Sequence, residues 1–104
     1  GSATRDFIFV RDAAEAVVMC TEYYNNPAPL NIGSGREISI AELAEKIKLT
    51  TGFQGGIVFD ASKPSGQPRR ALDITRTVSF GFRPNTSIDD GLKETIEWYL
   101  KSAR

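Results

Sequence analysis

From Lys63 to Arg70 the chain reads Lys-Pro-Ser-Gly-Gln-Pro-Arg-Arg, the stretch whose residue types and spacing most suggest a defined chemistry. Lys63, Arg69 and Arg70 put three cations within eight residues. Pro64 and Pro68 restrict the backbone between them. Gly66 allows a positive φ or a close approach to a ligand. Guanidinium forks match phosphate oxygens in pairs, and a lysine adds a mobile point charge, so a diphosphate suits this loop. The plainer alternative is a solvated basic loop making surface salt bridges with the abundant Asp and Glu. Thr4-Arg5-Asp6 leaves a similar choice. Arg5 either pairs with Asp6 as a structural unit or projects from a strand end toward the same anion.

The remaining candidates read as structure. Gly33-Ser34-Gly35-Arg36 lacks both the GxGxxG spacing and the GK[ST] of a phosphate loop, which leaves a strand-to-helix turn. Asp89 and Asp90 fall in the first turn of the last helix and complement its dipole. Glu94 and Glu97 read as that helix's solvated face. No two carboxylates stand where their environments would be forced apart for acid–base work. Trp98 could stack on a base or sugar, but its place in the last helix fits a core or rim role better.

Absences narrow the chemistry further. With no histidine, His-based triads, His bases and His-ligated metals are excluded. Cys20 is the only cysteine, which removes intrachain disulfides, zinc knuckles and CxxC pairs. Its neighbours Ala16 to Met19 predict a buried thiol on a helix. We expect no metal-binding residue.

These residues must be carried by one small domain, since the chain has 104 residues. Surface scaling predicts roughly 5,800 Å² exposed after folding, against roughly 16,500 Å² unfolded, enough burial for one core. Composition is that of an ordinary globular chain, 40% apolar and 25% charged. Thirteen basic residues balance thirteen acidic ones, so a general nucleic-acid or anionic-membrane binder is not expected. No apolar run approaches the roughly 20 residues of a membrane span. The N-terminus has no signal-peptide pattern, and a cytoplasmic location is the expectation.

Periodicity sets out the elements. Phe7-Ile8-Phe9-Val10 is a short apolar run, predicted as a strand buried on both faces. Asp12 and Glu15 resemble an N-cap with a returning carboxylate, opening a helix over about 13–24 that ends at Pro27 and Pro29. Leu30-Asn31-Ile32 and Ile57-Val58-Phe59 are predicted as further strands. Ser39 and Glu42 form a capping box before Ile40, Leu43, Ala44 and Ile47, with Gly52 as the left-handed cap. Residues 60–70 read as a loop, followed by an extended Ala71-Leu72-Asp73 and a short helical stretch over about 75–80, ended by Gly81. Ser87 caps a last helix whose Ile88, Leu92, Ile96, Tyr99 and Leu100 share a face. The class is α/β or α+β, a small domain of about three helices with short strands.

Taken in order, these blocks resemble a known family. Arg5-Asp6-Phe7-Ile8-Phe9-Val10 with Asp12 and Ala14 comes first, then Asn31-Ile32-Gly33-Ser34-Gly35 and Ser39-Ile40-x-Glu42-Leu43. Lys63-Pro64-x-Gly66-Gln67-Pro68-Arg69-Arg70 and Gly91-Leu92-x-x-Thr95-x-Glu97-Trp98-Tyr99 complete the series. It is similar to the C-terminal third of the extended short-chain dehydrogenase/reductases that epimerise nucleotide-sugars, above all the GDP-L-fucose synthase branch. The resemblance covers essentially the whole chain, and the lysine–proline–arginine loop is its most specific element.

What the resemblance implies is a nucleotide-sugar-binding domain over 1–104, part of a larger epimerase-reductase and not catalytic alone. Family members carry a Rossmann half that holds the nicotinamide cofactor, so NADP is expected there and not on this chain. They also carry a Tyr-x-x-x-Lys pair. Tyr23, Tyr24 and Tyr99 are followed four positions on by Pro27, Ala28 and Ala103, and none fits. By position, Arg5 matches an arginine contacting the nucleotide-sugar and Arg70 a basic diphosphate ligand, with Lys63 and Arg69 flanking. Ser65 stands where the fucose synthases usually have Asp and would touch sugar or ribose. Arg11 replaces the first Asp of the family's V-D-D. The expected partner is a nucleotide-sugar, GDP-linked in preference, together with the Rossmann half. The alternative is a stand-alone, self-associating interaction domain that kept the fold and lost the ligand. Binding of single-stranded nucleic acid has little to support it, because aromatic and basic residues are not interleaved.

Overall fold

In the computed structural model, which describes residues 1–102, seven elements follow in the order β1 (Thr4–Asp6), α1 (Val10–Tyr23), β2 (Glu37–Ser39), α2 (Ile40–Thr51), β3 (Arg69–Arg70), α3 (Thr75–Phe80) and α4 (Ile88–Ser102). The strands form one mixed sheet in the order β2-β1-β3. β1 pairs antiparallel with β2, placing Arg5 opposite Ile38, and parallel with β3, placing Arg5 opposite Arg70. The α/β class holds. The short stretch over 75–80 is a true helix, so the helices number four among the described residues.

Local chemistry explains where α2 and α4 begin. The Ser39 hydroxyl accepts from the Glu42 N–H at 3.0 Å, and the Ser87 hydroxyl accepts from the Asp90 N–H at 3.1 Å. Gly52 closes α2 at φ 72°, in the left-handed region. The two helices pack together, with Lys46 Nζ 2.7 Å from Asp89 Oδ1 across their junction.

α1 starts differently from the expectation. Phe9 stands at its N-cap in extended geometry with no side-chain cap, so Asp12 lies inside the first turn and caps nothing in its own helix. Instead its carboxylate, 1% exposed, accepts from the Thr86 N–H at 3.0 Å and the Thr86 hydroxyl at 3.1 Å. The apolar run 7–10 is not a strand. Pairing occurs just upstream at 4–6, while Phe7, Ile8, Phe9 and Val10 line a cavity bounded by α2 and α4. Leu30-Asn31-Ile32 and Ile57-Val58-Phe59 are not strands either. The Asn31 carbonyl accepts from the Thr77 hydroxyl at 2.6 Å, so side-chain bonds replace a ladder there, and Val58 is 91% exposed.

The predicted core is the largest correction. Among the described residues, only Ala3, Ala16, Ile38 and Phe82 are buried apolar side chains, and the accessible surface is 7700 Å². That is about a third more than surface scaling expects for this length. The radius of gyration is 16.2 Å, where a compact chain of this length has about 13 Å. The excess has a visible source. Val17, Val18 and Tyr23 of α1 and Trp98, Tyr99 and Leu100 of α4 are exposed, and Cys20 is partly rather than fully buried. Trp98 thus stands at neither core nor rim, with 66% of its surface open.

Candidate functional site

A pleated sheet sends successive side chains to opposite faces, and this alternation sorts the basic residues. Arg5 and Arg70 are register partners, so their side chains leave the same face side by side. Thr4 and Arg69 are register partners one step back and leave the other face.

On the Thr4 face, Glu37 gathers the polar groups. Arg69 Nε donates to both Glu37 carboxylate oxygens at 2.9 Å, and its Nη2 donates to Oε1 at 2.5 Å. The Thr4 hydroxyl adds a bond to Glu37 Oε2 at 2.8 Å. Together, the Arg69 guanidinium first and the Thr4 hydroxyl second, these hold the Glu37 carboxyl down at about 2. Glu37 likewise raises the Arg69 pKa. Arg69 is therefore paired with Glu37, on the face of the sheet opposite Arg5 and Arg70. Neither Glu37 nor its role stands out in the sequence, because nothing local connects it to Arg69. Only strand pairing brings the two together.

The Arg5 face carries two cations with no carboxylate partner among the described residues. Arg5 Nη1 donates to the Thr4 carbonyl at 2.7 Å. Arg70 Nε lies 3.4 Å from Gln67 Oε1, too long for a firm bond. Gly66 closes over Arg5: a Cβ added there would lie 3.9 Å from Arg5 Nη2, and its φ is 71°. Lys63 and Ser65 occupy the same loop, exposed, with no side-chain hydrogen bond among the described residues. The structure thus unites Arg5, Arg70 and the loop at Gly66, and turns Arg69 to the far face.

Asp6 does not pair with Arg5. Its carboxylate accepts from the Ser34 N–H at 2.8 Å, the Ser34 hydroxyl at 2.6 Å and the Gly35 N–H at 2.9 Å. The Gly33-Ser34-Gly35 turn does cradle an anion, and that anion is the chain's own aspartate. Successive backbone N–H groups make such a concavity attractive to negative charge. A pyrophosphate could enter only by displacing Asp6, so these residues do not fit a dinucleotide.

Elsewhere, a cavity of about 490 Å³ lies between α2, α4 and the 7–10 segment. Its walls are mainly Phe7, Phe9, Ile38, Leu43, Ile88 and Leu92. The hydroxyls at its edge are spent internally, as in Thr95 to the Gly91 carbonyl. Arg11, the departure from V-D-D, reaches α4 instead, with Nη2 2.6 Å from Glu94 Oε1 and its guanidinium 5.2 Å from the Phe9 ring centre. Three or more His, Cys, Asp or Glu side chains do not gather as a metal site among the described residues. No described helix is long and apolar enough to cross a membrane.

Comparison with known proteins gives no matching family model. Individual proteins do match. GDP-L-fucose synthase 1 of Arabidopsis thaliana is 43% identical over 102 residues, which is 98% of this chain and 32% of that protein. The GDP-L-fucose synthase of Sinorhizobium fredii is 45% identical, again over 98% of this chain and 32% of its own length. Among solved structures, a GDP-L-fucose synthetase from Naegleria fowleri bound to NADP superposes with a TM-score of 0.91 at 28% identity, covering 97% of this chain and 32% of that one. A UDP-glucose 4-epimerase from Thermotoga maritima, solved with UDP-glucose, gives 0.90 at 27% identity, covering 100% of this chain and 34% of that one. The chain spans about a third of the length of the curated relatives it matches.

Proposed function

We propose that this chain, homologous to about a third of the GDP-L-fucose synthases and of other extended short-chain dehydrogenase/reductase epimerases, serves as a nucleotide-sugar-binding part, with Arg5 and Arg70 as the diphosphate ligands. The observation that carries the reading is their adjacency on parallel strands with no counter-charge among the described residues. Like charges on register partners of neighbouring strands repel, and a diphosphate would relieve that repulsion by bridging them. Lys63 adds a mobile charge from the loop above. Ser65 lies in the same loop, within the stretch a sugar or ribose hydroxyl would approach. GDP-linked sugars are favoured because the synthases of that class are the more identical relatives. No chemical step is assigned to these residues. Their part is to bind and orient, and the nicotinamide cofactor is assigned outside this stretch.

Saturation-transfer NMR with GDP-sugars and UDP-sugars tests the reading, repeated on Arg70→Ala. Transfer to a GDP-sugar that the substitution removes supports it. No transfer at millimolar ligand in this chain sinks it for the chain alone.

A second reading rests on the 7700 Å² of surface and the exposed Val17, Val18 and Tyr23 of α1. Such a face invites self-association. Sedimentation across a concentration series decides this: a constant monomer mass discards it.

A further inference from the structure

Arg69 and Arg70 are identical neighbours, and side-chain chemistry alone does not decide which one faces Arg5. A slip of one residue in β3 would exchange their faces, putting Arg69 beside Arg5 and Arg70 on the Glu37 side. Backbone pairing alone discriminates poorly between these registers. β3 is two exposed residues at the sheet edge. Pro68, which precedes it, has no N–H to donate, though its carbonyl accepts from the Thr4 N–H at 2.9 Å.

We propose that Glu37 is the positioning residue of the anion site. By clamping Arg69 on one face of the sheet, it selects the β3 register that puts Arg70 beside Arg5 on the other.

The geometry supports this at each strand. Glu37 sits on β2, bonds the Thr4 hydroxyl of β1, and takes three hydrogen bonds from Arg69 of β3, so one carboxylate ties all three strands. Bidentate guanidinium–carboxylate pairing is directional, and it fixes where the Arg69 backbone must sit. The Arg5 face offers nothing comparable, since Arg70 has only the long approach to Gln67. Register is therefore chosen on the face opposite the ligand. Loss of Glu37 would remove the choice without touching a ligand-facing group. The proposal rests on the diphosphate reading of Arg5 and Arg70 only for its consequence in binding; the register itself is measurable without ligand.

The experiment uses this chain, GDP as probe, and the variants Glu37→Ala, Arg69→Ala, Arg70→Ala and the double variant Glu37→Ala/Arg70→Ala. Backbone NOEs between Arg5 and Arg70 report register, and GDP titration well below the melting temperature reports the site. Glu37→Ala and Arg69→Ala should each weaken or erase the NOEs. Arg69→Ala should also lower GDP affinity severalfold, since its slipped register offers alanine beside Arg5, whereas Glu37→Ala, which offers an arginine in either register, should change affinity less. Helix α2 and α4 resonances should stay in place. In the Arg70→Ala background, Glu37→Ala should win back part of the lost GDP affinity, because Arg69 is then free to take the place beside Arg5. General destabilisation would not give that dependence. Unchanged NOEs in Glu37→Ala overturn the proposal, as does tighter GDP binding, which would mean that Arg69 is a ligand held in reserve. If the parent chain does not bind GDP, the diphosphate reading fails, and the NOEs alone then decide the clamp.

Discussion

Asp12 and Thr86, 74 positions apart, are joined by two hydrogen bonds to one buried carboxylate. The bond joins the first turn of α1 to the residues that lead into α4, and Asp12 is 1% exposed. A side chain whose spacing suggests a helix cap is instead a long-range tie. Removing it leaves the Thr86 N–H without its partner, so Asp12→Ala should cost about 2–3 kcal/mol. Urea unfolding of the two proteins measures this, and a loss under about 0.5 kcal/mol would mean that water replaces the carboxylate freely.

Gly52→Ala isolates a backbone effect. A Cβ there meets nothing within 4 Å, yet φ is 72°. Left-handed geometry costs a non-glycine residue about 1–2 kcal/mol, and that should be the whole penalty. A Gly52→Asn variant should recover part of it, since asparagine tolerates this region best after glycine. Equal losses for Ala and Asn in thermal melts would point to something other than φ.

Acid should release the Glu37 clamp within a defined window. Its carboxyl sits near 2 in the folded chain against an ordinary 4.5. A depressed acid stabilises the fold above its ordinary pKa and ceases to as pH falls through the folded value. The clamp is thus fully present at pH 7 and fades from about 4.5 down to about 2. Asp60 and Asp73 are depressed as well, by bonds from Ser62 and Thr75, so global melts would mix several groups. The side-chain carboxyl ¹³C shift of Glu37 separates them. A midpoint near 4.5 would refute the tie to Arg69.

Arg5→Ala and Arg70→Ala should each weaken GDP binding by about tenfold or more, the loss expected for a charged hydrogen-bonding partner. Arg5→Lys retains the charge and loses the planar fork, and should fall between the parent and Arg5→Ala. Binding should also weaken as salt rises, because both arginines are partly or fully exposed. Isothermal titration at two ionic strengths checks both statements, and an Arg5→Lys affinity equal to that of the parent would leave the fork without a role.

Much of this fold is legible in the amino-acid sequence, and the legible part is local. Ser39, Gly52 and Ser87 announce the ends of α2 and the start of α4, since capping is chemistry between residues a turn apart. The Lys63–Arg70 loop and Arg5 stand out as cations that could meet an anion. What stays hidden depends on pairing. Strands of two or three residues carry no periodicity, so β2 and β3 vanish into a turn and a loop, while the apolar run 7–10 mimics a strand it does not form. Glu37 is invisible for the same reason, and Arg69 looks like Arg70 until the sheet separates them.

The place of β1 at the centre of the sheet bears on the order in which the chain can assemble. β2 reaches β1 after about thirty residues of further chain, whereas β3 arrives only after more than sixty. Longer loops close at greater entropic cost, so the antiparallel edge should zip first. During synthesis β1 therefore waits with one side unpaired, open to any extended segment nearby. Arg5 and the flanking Asp6 charge that strand while it waits. Arg5, which we assign to ligand binding in the finished fold, would then also help guard the strand against the wrong neighbour while it is being made.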